Sequence, residues 1–475
     1  MELSSLLLIL AILAITLIAI TQKAKSDRAT NVPPGSFGWP IIGETYEFLY
    51  GKPEKFIGDR MKRYSPKVFT TKVFGEPTVV FCGASGNKFL STNDEKLFQG
   101  WRPYSMQKLF RSTYQKAASA SIPRETEVHF FRAPGFLRPE ALVQYVGTMD
   151  TIIKQQLKMH WEGKQNVKVY DLVQLMTATL SSRFYLGIQD DDRNAKLAKL
   201  LDGMSLGLHS MPIYFPGTIF YHAKNSSNAI RKELQVVIKE KKAAIASGVQ
   251  MNDILTHMII NSDPTGSYMP EHEIADKIMG LLVAGFSTPA TALTFLIRFI
   301  GERPEVYERI RAEQLEISRS RNLSEPLKWD DLQKMKYTWN VALEVMRLVP
   351  PFQGTFREAT TDFTFEGFTI PKGWKIYWSI STTNKNPKYF SDPENFEPTR
   401  FEQESVPPPY TNVPFGGGPR VCPGKEYARL ILLTFIHNIV HILRWEVMVP
   451  NEKIIGSVIP IPAKGLPVRL QPHLA

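Results

Sequence analysis

The sequence predicts a mainly helical protein with a minor β-sheet, because helical periodicity covers most of the chain and strand-like runs are short. Apolar residues recur at helical spacing through most of residues 139–242 and 253–347. Residues 271–301 are apolar on almost every side, which is typical of a helix deep in a core. A last helix is expected over about residues 424–444.

The predicted sheet is small and lies near the front of the chain. Runs rich in valine, phenylalanine and threonine at residues 68–74 and 78–81 are typical of strands, and residues 357–377 are strand-like again. The chain contains no repeat and no low-complexity segment. We therefore predict one catalytic domain over residues 46–475, a size that suits a single large enzyme.

Composition and charge exclude several classes of protein. The 475 residues are 43% hydrophobic and 22% charged, which is typical of a folded globular chain. Cys82 and Cys422 are the only cysteines, which argues against a disulfide scaffold and excludes a four-cysteine zinc site. The formal charge of +11 is scattered, with no nucleic-acid-binding motif. We expect no nucleic-acid partner; an acidic redox partner and an anionic membrane surface fit better.

A transmembrane anchor is predicted over residues 1–22. Residues 6–20 are apolar except for one threonine, and with their neighbours they approach the minimum of about 17 residues for a spanning helix. A cleaved signal peptide is the alternative, but it needs positive charge before the apolar run. Here Lys23, Lys25 and Arg28 follow the run, which places the rest of the chain in the cytosol.

Residues 23–45 are predicted to form a stiff elbow between the anchor and the body. The segment contains Pro-Pro-Gly from residue 33 and Gly-Trp-Pro from residue 38. Proline fixes φ and glycine breaks helices. The elbow is either an ordinary linker or a device that orients the body on the membrane.

The strongest chemical signal is the run FGGGPRVCPG from Phe415 to Gly424. A thiolate that binds iron needs backbone N–H groups near the sulfur, which glycines such as Gly418 allow, and positive charge that keeps the thiol ionised. Arg420 and the start of the following helix can supply that charge, and Phe415 can exclude water. We predict that Cys422 is the metal ligand. The alternative is a glycine turn with an incidental buried cysteine. For the other cysteine, Cys82, we expect a free thiol in the core.

The loop and two further motifs together resemble the cytochrome P-450 superfamily over essentially all of residues 30–475. One motif is Glu344 and Arg347, three residues apart on one helix face, followed later by the Pro-Thr-Arg-Phe run that contains Arg400. The other is AGFST at residues 284–288 of the long helix. The resemblance implies the P-450 fold, haem b, O2, and electrons from NADPH through a cytochrome P-450 reductase. The loop cysteine would be the thiolate that favours O–O cleavage.

The resemblance assigns roles around the haem. Glu344, Arg347 and Arg400 match a structural triad that locks the loop beneath the haem. Arg357 and Arg420 match arginines that bind haem propionates. The Trp-x-x-x-Arg motif of relatives is absent from this chain, and the sequence does not show which residue replaces it.

The motif in the long helix implies a role in oxygen activation. Thr288 matches a hydroxyl that helps deliver protons, and Gly285 is expected to let the helix approach the haem face. Ser287 stands where most relatives carry an acid, so we expect it to relay protons less well than a carboxyl group. Pro289 follows and removes one helical hydrogen bond.

Longer stretches resemble the plant enzymes that oxidise pentacyclic triterpenes, such as the β-amyrin C-28 oxidases. They include FCGASGNKF at residues 81–89, TIPKGWK at residues 369–375 and AKGLPVRL at residues 463–470. The implied reaction inserts oxygen into a C–H bond of a lipophilic terpenoid such as β-amyrin, and successive rounds at C-28 would give a carboxyl group. The candidate substrate pocket is apolar. Its predicted wall comprises Leu281, Leu282, Phe286, Phe352 and Phe356.

Three alternatives stay open at this point. The protein could be a diterpenoid (taxane-like) hydroxylase, a haem-thiolate isomerase or dehydratase that does not use O2, or a non-enzymatic haem protein. The retained Thr288 and the predicted anchor argue against the isomerase. The anchor and the reductase together predict a single-pass protein of the endoplasmic reticulum membrane with a cytosolic catalytic domain.

Overall fold

The computed structural model confirms a mainly helical protein with a minor β-sheet. The residues that the structure describes are 11–16, 31–51, 53–110, 135–251, 253–261, 268–322, 324–402, 407–456 and 458–473. Most of the predicted anchor and the first part of the predicted elbow lie outside these residues. Residues 11–16 are helical and exposed.

The helices and strands of the described residues follow the predicted order. The helices are α1 (Thr45–Tyr50), α2 (Pro53–Arg63), α3 (Gly83–Asn93), α4 (Tyr104–Phe110), α5 (Pro139–Leu142), α6 (Val146–His160), α7 (Val169–Ser181), α8 (Asp191–Leu206), α9 (Ile219–Ala246), α10 (Ile254–Ile260), α11 (Glu271–Gly301), α12 (Pro304–Arg319), α13 (Trp329–Lys334), α14 (Lys336–Leu348), α15 (Ser381–Asn384) and α16 (Lys425–Ile442). The strands are β1 (Val68–Val73), β2 (Glu76–Phe81), β3 (Phe98–Gly100), β4 (Asn166–Lys168), β5 (Gly354–Ala359), β6 (Phe363–Phe365), β7 (Phe368–Ile370), β8 (Lys375–Ser379), β9 (Leu443–Val447), β10 (Ile454–Ile455), β11 (Ile461–Pro462) and β12 (Pro467–Pro472).

The chain divides into two compact units, each built from separated stretches of sequence. The sheet unit comprises Met1–Pro103, Gln353–Ser391 and Pro408–Val421. The helical unit comprises Tyr104–Phe352, Asp392–Pro407 and Cys422–Ala475. The single domain predicted over residues 46–475 therefore contains parts of both units, which periodicity along the chain cannot separate.

The sheet unit is organised by a five-stranded sheet in the order β1-β2-β8-β5-β3. Strands β2 and β8 are parallel, and the other neighbours are antiparallel. One side of the unit is filled by phenylalanines; Phe81 stacks on Phe365 with ring centroids 4.4 Å apart. These aromatic contacts form a core separate from that of the helical unit.

The later part of the predicted elbow is docked on the sheet. The backbone N–H of Thr70 donates to Pro34 O at 2.9 Å, and that of Glu44 donates to Lys72 O at 2.7 Å. A Cβ on Gly35 would lie 2.0 Å from Thr70 O, so only glycine permits this approach. Backbone hydrogen bonds at residues 34 and 44 therefore attach this part of the elbow to β1.

The helical unit is built around α11, whose bounds confirm the predicted long helix. Among the described residues, α11 is the one helix that is long and apolar enough to cross a membrane. However, 83% of its most apolar window is buried inside the protein. It is therefore a core helix. A small sheet in the order β4-β12-β9 and the β10-β11 pair complete the unit.

Pro289 lies inside α11 and has no N–H to offer to the carbonyl of Gly285 four residues earlier. That carbonyl instead accepts a hydrogen bond from Ser181 Oγ of α7 at 3.2 Å. The next carbonyl, that of Phe286, accepts one from Thr177 Oγ1 at 3.0 Å. Two hydroxyl groups of α7 thus satisfy the backbone of α11 where the proline disrupts it.

We predict that Ser181→Ala destabilises the protein by about 1–3 kcal/mol, because it leaves the buried Gly285 carbonyl without a donor. Pro289→Ala restores the helical N–H, so Ser181→Ala should cost clearly less in that background. Chemical denaturation of the four members of this double-mutant cycle measures the coupling.

Ser182→Ala is the matched control, because Ser182 is fully buried but its hydroxyl donates to Ala178 O within its own helix. Its cost should be the same whether position 289 holds the native proline or an alanine. Equal costs for Ser181→Ala in the two backgrounds would show that Ser181 does not compensate for the proline.

Candidate active site

The predicted metal ligand, Cys422, lies in the helical unit just before α16. The N–H of Lys425 donates to Cys422 O at 3.3 Å, which begins the helix. Although Cys422 is exposed, the surrounding protein desolvates the thiol and raises its pKa, while the backbone N–H of Gly424 lowers it less strongly. The backbone at the start of α16 thus favours the thiolate, and desolvation opposes it. A bound metal cation would favour the thiolate further.

The glycines of the loop serve a close contact with α3 inside the sheet unit. Gly416 and Gly418 have φ values of 74° and 68°, in the left-handed region that favours glycine. A Cβ on Gly418 would lie 2.1 Å from Ser91 O, and one on Gly417 would lie 2.7 Å from Ser91 Oγ. The glycines thus let the loop lie directly against the end of α3. Phe415 is half-buried beside them.

Gly424 stands at the N-cap of α16 with φ −91°, a conformation open to other residues. A Cβ at this position would lie 3.9 Å from the sulfur of Cys422, which is an ordinary contact. What Gly424 contributes is its N–H, which points a partial positive charge at the thiol.

The sheet unit brings together Arg357 and Arg420, the two predicted propionate ligands. Both approach Asp94, Arg357 through Nε at 3.1 Å and Arg420 through Nε at 3.1 Å. Within the part of the chain that the structure describes, the Nε of Arg420 is buried without a hydrogen-bond partner. Arg420 therefore meets Asp94 as an ion pair without a hydrogen bond, and its guanidinium retains donors for a further anion.

The long helix α11 presents one stripe of less buried residues, defined as the Thr288 stripe. It consists of Lys277, Leu281, Ala284 and Thr288, at helical spacing along one face. Thr288 Oγ1 donates to Ala284 O at 2.9 Å. The stripe therefore begins with a lysine and continues with two apolar side chains and one hydroxyl group.

Ser287 and Gly285, the neighbouring residues of this motif, do not lie on the Thr288 stripe. Ser287 is 3% exposed and its Oγ donates to Val283 O at 3.3 Å, one residue round the helix from the stripe. A Cβ on Gly285 would meet the hydroxyl groups of Tyr185 and Ser181 at 2.9 and 3.0 Å. Gly285 therefore makes room for α7 and the residues after it, a contact that the sequence did not indicate.

Three of the five predicted pocket residues are core residues. Leu282 and Phe286 are fully buried on the side of α11 that faces the helical core. Phe356 is 4% exposed inside the sheet unit, where its ring packs against Phe48 and Tyr377. These assignments to a pocket wall are wrong, because sequence periodicity did not fix which helix face is open.

The other two predicted pocket residues are partly exposed. Leu281 belongs to the Thr288 stripe. Phe352, in the helical unit, has its ring 6.0 Å from that of His209. Burial lowers the pKa of His209 to about 4, so this imidazole is neutral near pH 7 and adds no charge to an apolar site.

The helical unit brings together the three residues of the predicted structural triad. The guanidinium of Arg347 forms a bidentate pair with Glu344, through Nε at 2.7 Å and Nη2 at 2.8 Å, and both side chains are fully buried. Arg400 Nε lies 3.5 Å from Glu344 Oε1. Arg347 also donates to the carbonyls of Pro393 and Asn395. The triad thus fixes an irregular stretch of chain that lacks strands or α-helix of its own.

A tyrosine pair beside the cysteine was not found from the sequence. Tyr185 and Tyr427 are each 2% exposed, with ring centroids 5.8 Å apart. Desolvation raises the pKa of Tyr185 well above its usual value, and the nearby Tyr427 and Cys422 raise it further. The π-helical turn Ser182–Leu186 that turns Tyr185 inward carries no sequence signature.

A thiol beside the first N–H groups of a helix, two residues along the chain from an arginine, suits a cofactor with both iron and carboxylate groups. These features define the class of haem-thiolate proteins. The family model described as Cytochrome P-450 matches residues 33–464. The chain belongs to the cytochrome P-450 family. It is accordingly an oxidoreductase with haem iron, which uses O2 and reducing equivalents from NADPH.

Individual relatives cover the chain almost completely. It is 49% identical to a β-amyrin 28-monooxygenase of Medicago truncatula over 100% of this chain and 99% of that protein. It is 48% identical to a β-amyrin 28-monooxygenase of Vitis vinifera over 99% and 98%. A solved structure of retinoic acid-bound cyanobacterial CYP120A1 is similar with a TM-score of 0.82 at 30% identity, covering 93% of this chain and 99% of that one.

We predict that Glu344→Gln destabilises the protein by about 3–5 kcal/mol and lowers haem content, because it leaves the fully buried Arg347 without its counter-ion. Glu446→Gln is the control, since Glu446 pairs with Arg469 at 3.1 Å on the surface and should cost at most about 1 kcal/mol. Chemical denaturation and haem quantification report both effects. Equal losses in the two variants would contradict a special role for the triad.

Proposed function

We propose that the protein is a monooxygenase of lipophilic pentacyclic triterpenes and that it oxidises β-amyrin at C-28. The observation that carries this proposal is near-complete coverage at 47–49% identity by proteins named β-amyrin 28-monooxygenase from Medicago truncatula, Kalopanax septemlobus and Vitis vinifera. Diterpenoid hydroxylation, isomerisation without O2 and a non-enzymatic role are the alternatives that the experiments below address.

The haem, when bound, supplies the activation of O2 and the transfer of one oxygen atom into a C–H bond. The protein supplies position. Cys422 would hold the iron, and Arg357 and Arg420 would bind the propionates. Repeated oxidation of one methyl group to alcohol, aldehyde and acid requires that the same carbon returns to the same place, so a rigid substrate suits the reaction.

We propose that the Thr288 stripe contacts the substrate and that its hydroxyl group transfers protons. Leu281 and Ala284 offer an apolar surface to a hydrocarbon skeleton. Thr288 Oγ1 can release Ala284 O and move a proton through its own hydroxyl. Ser287, buried against Val283 O, is the weaker candidate of the two for proton transfer.

We further propose a single-pass anchor at residues 1–22 in the endoplasmic reticulum membrane, a cytosolic catalytic part and a cytochrome P-450 reductase as electron donor. The apolar run followed by positive charge supports the anchor. In the helical unit, Ile213, Tyr214 and Phe215 are 55%, 58% and 67% exposed just before α9. Such a patch suits contact with a lipid surface, where a lipophilic substrate is concentrated.

The carbon monoxide difference spectrum tests the ligand. Cys422→Ala should abolish the band at about 450 nm of a thiolate-bound haem, because no sulfur remains to bind the iron. Cys82→Ala is the matched control; Cys82 is fully buried, and burial raises its pKa far above the usual value. A band that persists in Cys422→Ala would contradict the assignment.

The substrate is tested by co-expression with a plant reductase in cells that make α-amyrin, β-amyrin and lupeol. We expect β-amyrin derivatives that carry a hydroxyl or carboxyl group at C-28, identified by mass spectrometry and structure determination. Cells that carry Cys422→Ala should give none. If all three scaffolds stay unchanged while a diterpene is oxidised, the triterpene proposal fails; product formed without reductase would favour an isomerase.

A further inference from the structure

One face at the end of α3 carries the contacts that hold the haem loop in the sheet unit. Asn87, Ser91 and Asp94 follow each other at spacings of four and three residues, which places them on one side. Asn87 Nδ2 donates to Tyr410 O at 2.8 Å, just before the loop. Ser91 lies directly against Gly418. Asp94 is the third and charged member of this series.

The carboxylate of Asp94 is 1% exposed and lies between two arginines. Arg357 Nε is 3.1 Å from Oδ2, and Arg420 Nε is 3.1 Å from Oδ1. A Cβ on Gly100 would lie 3.1 Å from Arg420 Nη1, so the absence of a side chain at position 100 leaves room for this guanidinium. Arg357 Nε also donates to Oδ1 at 3.3 Å, so one carboxylate faces an arginine of β5 and an arginine of the loop.

The positive charges of Arg357 and Arg420 require an anionic group between them. Arg357 is 8% exposed; burial lowers its pKa, the charge of Asp94 raises it, and the neighbouring Arg420 lowers it again. Arg420 is half-buried beside it, and two poorly solvated cations side by side repel each other unless an anion separates them. Asp94 neutralises one of the two charges and leaves a net positive pair for the two carboxylates of the haem.

We propose that Asp94 is a positioning residue that holds Arg357 and Arg420 in place for the haem propionates and, through Arg420, fixes the loop two residues before Cys422. The inference rests on the proposed binding of propionates by these arginines and is independent of the substrate. Asp94 acts through the arginines and does not itself touch the cofactor.

The test is the rate at which full-length detergent-solubilised holoprotein loses haem to an excess of haem-free globin. Asp94→Asn keeps the size of the side chain and removes its charge, so Arg357 loses a charged acceptor and Arg420 loses its ion-pair partner. We expect haem loss to be at least about tenfold faster, the effect of one buried charge-assisted hydrogen bond. The variant should also lose its carbon monoxide band at about 450 nm sooner than the parent protein does, because the loop that carries the sulfur is less firmly held.

Asp276→Asn is the matched control. Asp276, in α11, is also 1% exposed and also pairs with an arginine, Arg231, at 3.1 Å. Because Arg231 is not assigned to the haem, haem loss in this variant should stay within about twofold of the parent protein. Equal acceleration in both variants would overturn the proposal, since any buried aspartate would then do the same.

The outcomes of Asp94→Asn separate a positioning role from simple neutralisation. Unchanged or slower haem loss would overturn the proposal. Slower loss is expected if the Asp94 carboxylate only weakens the attraction between the two arginines and the propionates. Arg420→Gln tests the underlying assignment: faster loss there with no change in Asp94→Asn would leave the arginines in their role and remove Asp94 alone.

A double variant covers the case in which Asp94→Asn yields no folded protein. In Asp94→Asn with Arg357→Gln, one uncompensated cation is removed together with its counter-ion. Recovery of folded protein would support the charge relation between the two residues. Failure of the double variant to fold would overturn it, because charge compensation would not be what the single variant lacks.

Discussion

The proposed chemistry depends on one sulfur atom, which must stay at a fixed place although it lies on a segment without regular structure. Cys422 follows a glycine loop whose turns come from positive φ at Gly416 and Gly418. The loop gains its order from neighbours: Ser91 of α3 lies against its glycines, and Asp94 lies near Arg420 at 3.1 Å. Glycine gives the close approach at a cost in conformational entropy, which these contacts offset.

The helix α11 shows the same relation between an unfavourable residue and its surroundings. Pro289 deprives the Gly285 carbonyl of its helical donor, and hydroxyl groups of α7 take over at this point. Because Gly285 has no side chain, Tyr185 and Ser181 can come close enough to do so. The helix therefore keeps one continuous face on which Ala284 and Thr288 lie, in spite of an internal proline.

The motif residues could be predicted because their chemistry is local. The spacing of Glu344 and Arg347 alone predicts an ion pair, and the structure adds its complete burial. The wall of the substrate pocket could not be predicted in this way. Leu282 and Phe286 are as apolar as Leu281, and one residue of rotation about α11 decides which of them faces the core. Asp94 was missed because a single aspartate at a helix end has many common roles.

The sequence by itself determined the fold class, the order of helices and strands and the family, since these follow from periodicity and from residues close together in the chain. The tertiary structure decided which face of α11 is open, that Ser181 replaces the donor lost at Pro289, and that Asp94 lies between Arg357 and Arg420. It also showed that the Cys422 thiol has a raised pKa, because desolvation outweighs the Gly424 N–H. These facts depend on contacts between segments far apart in sequence, whose strength is set by burial and distance.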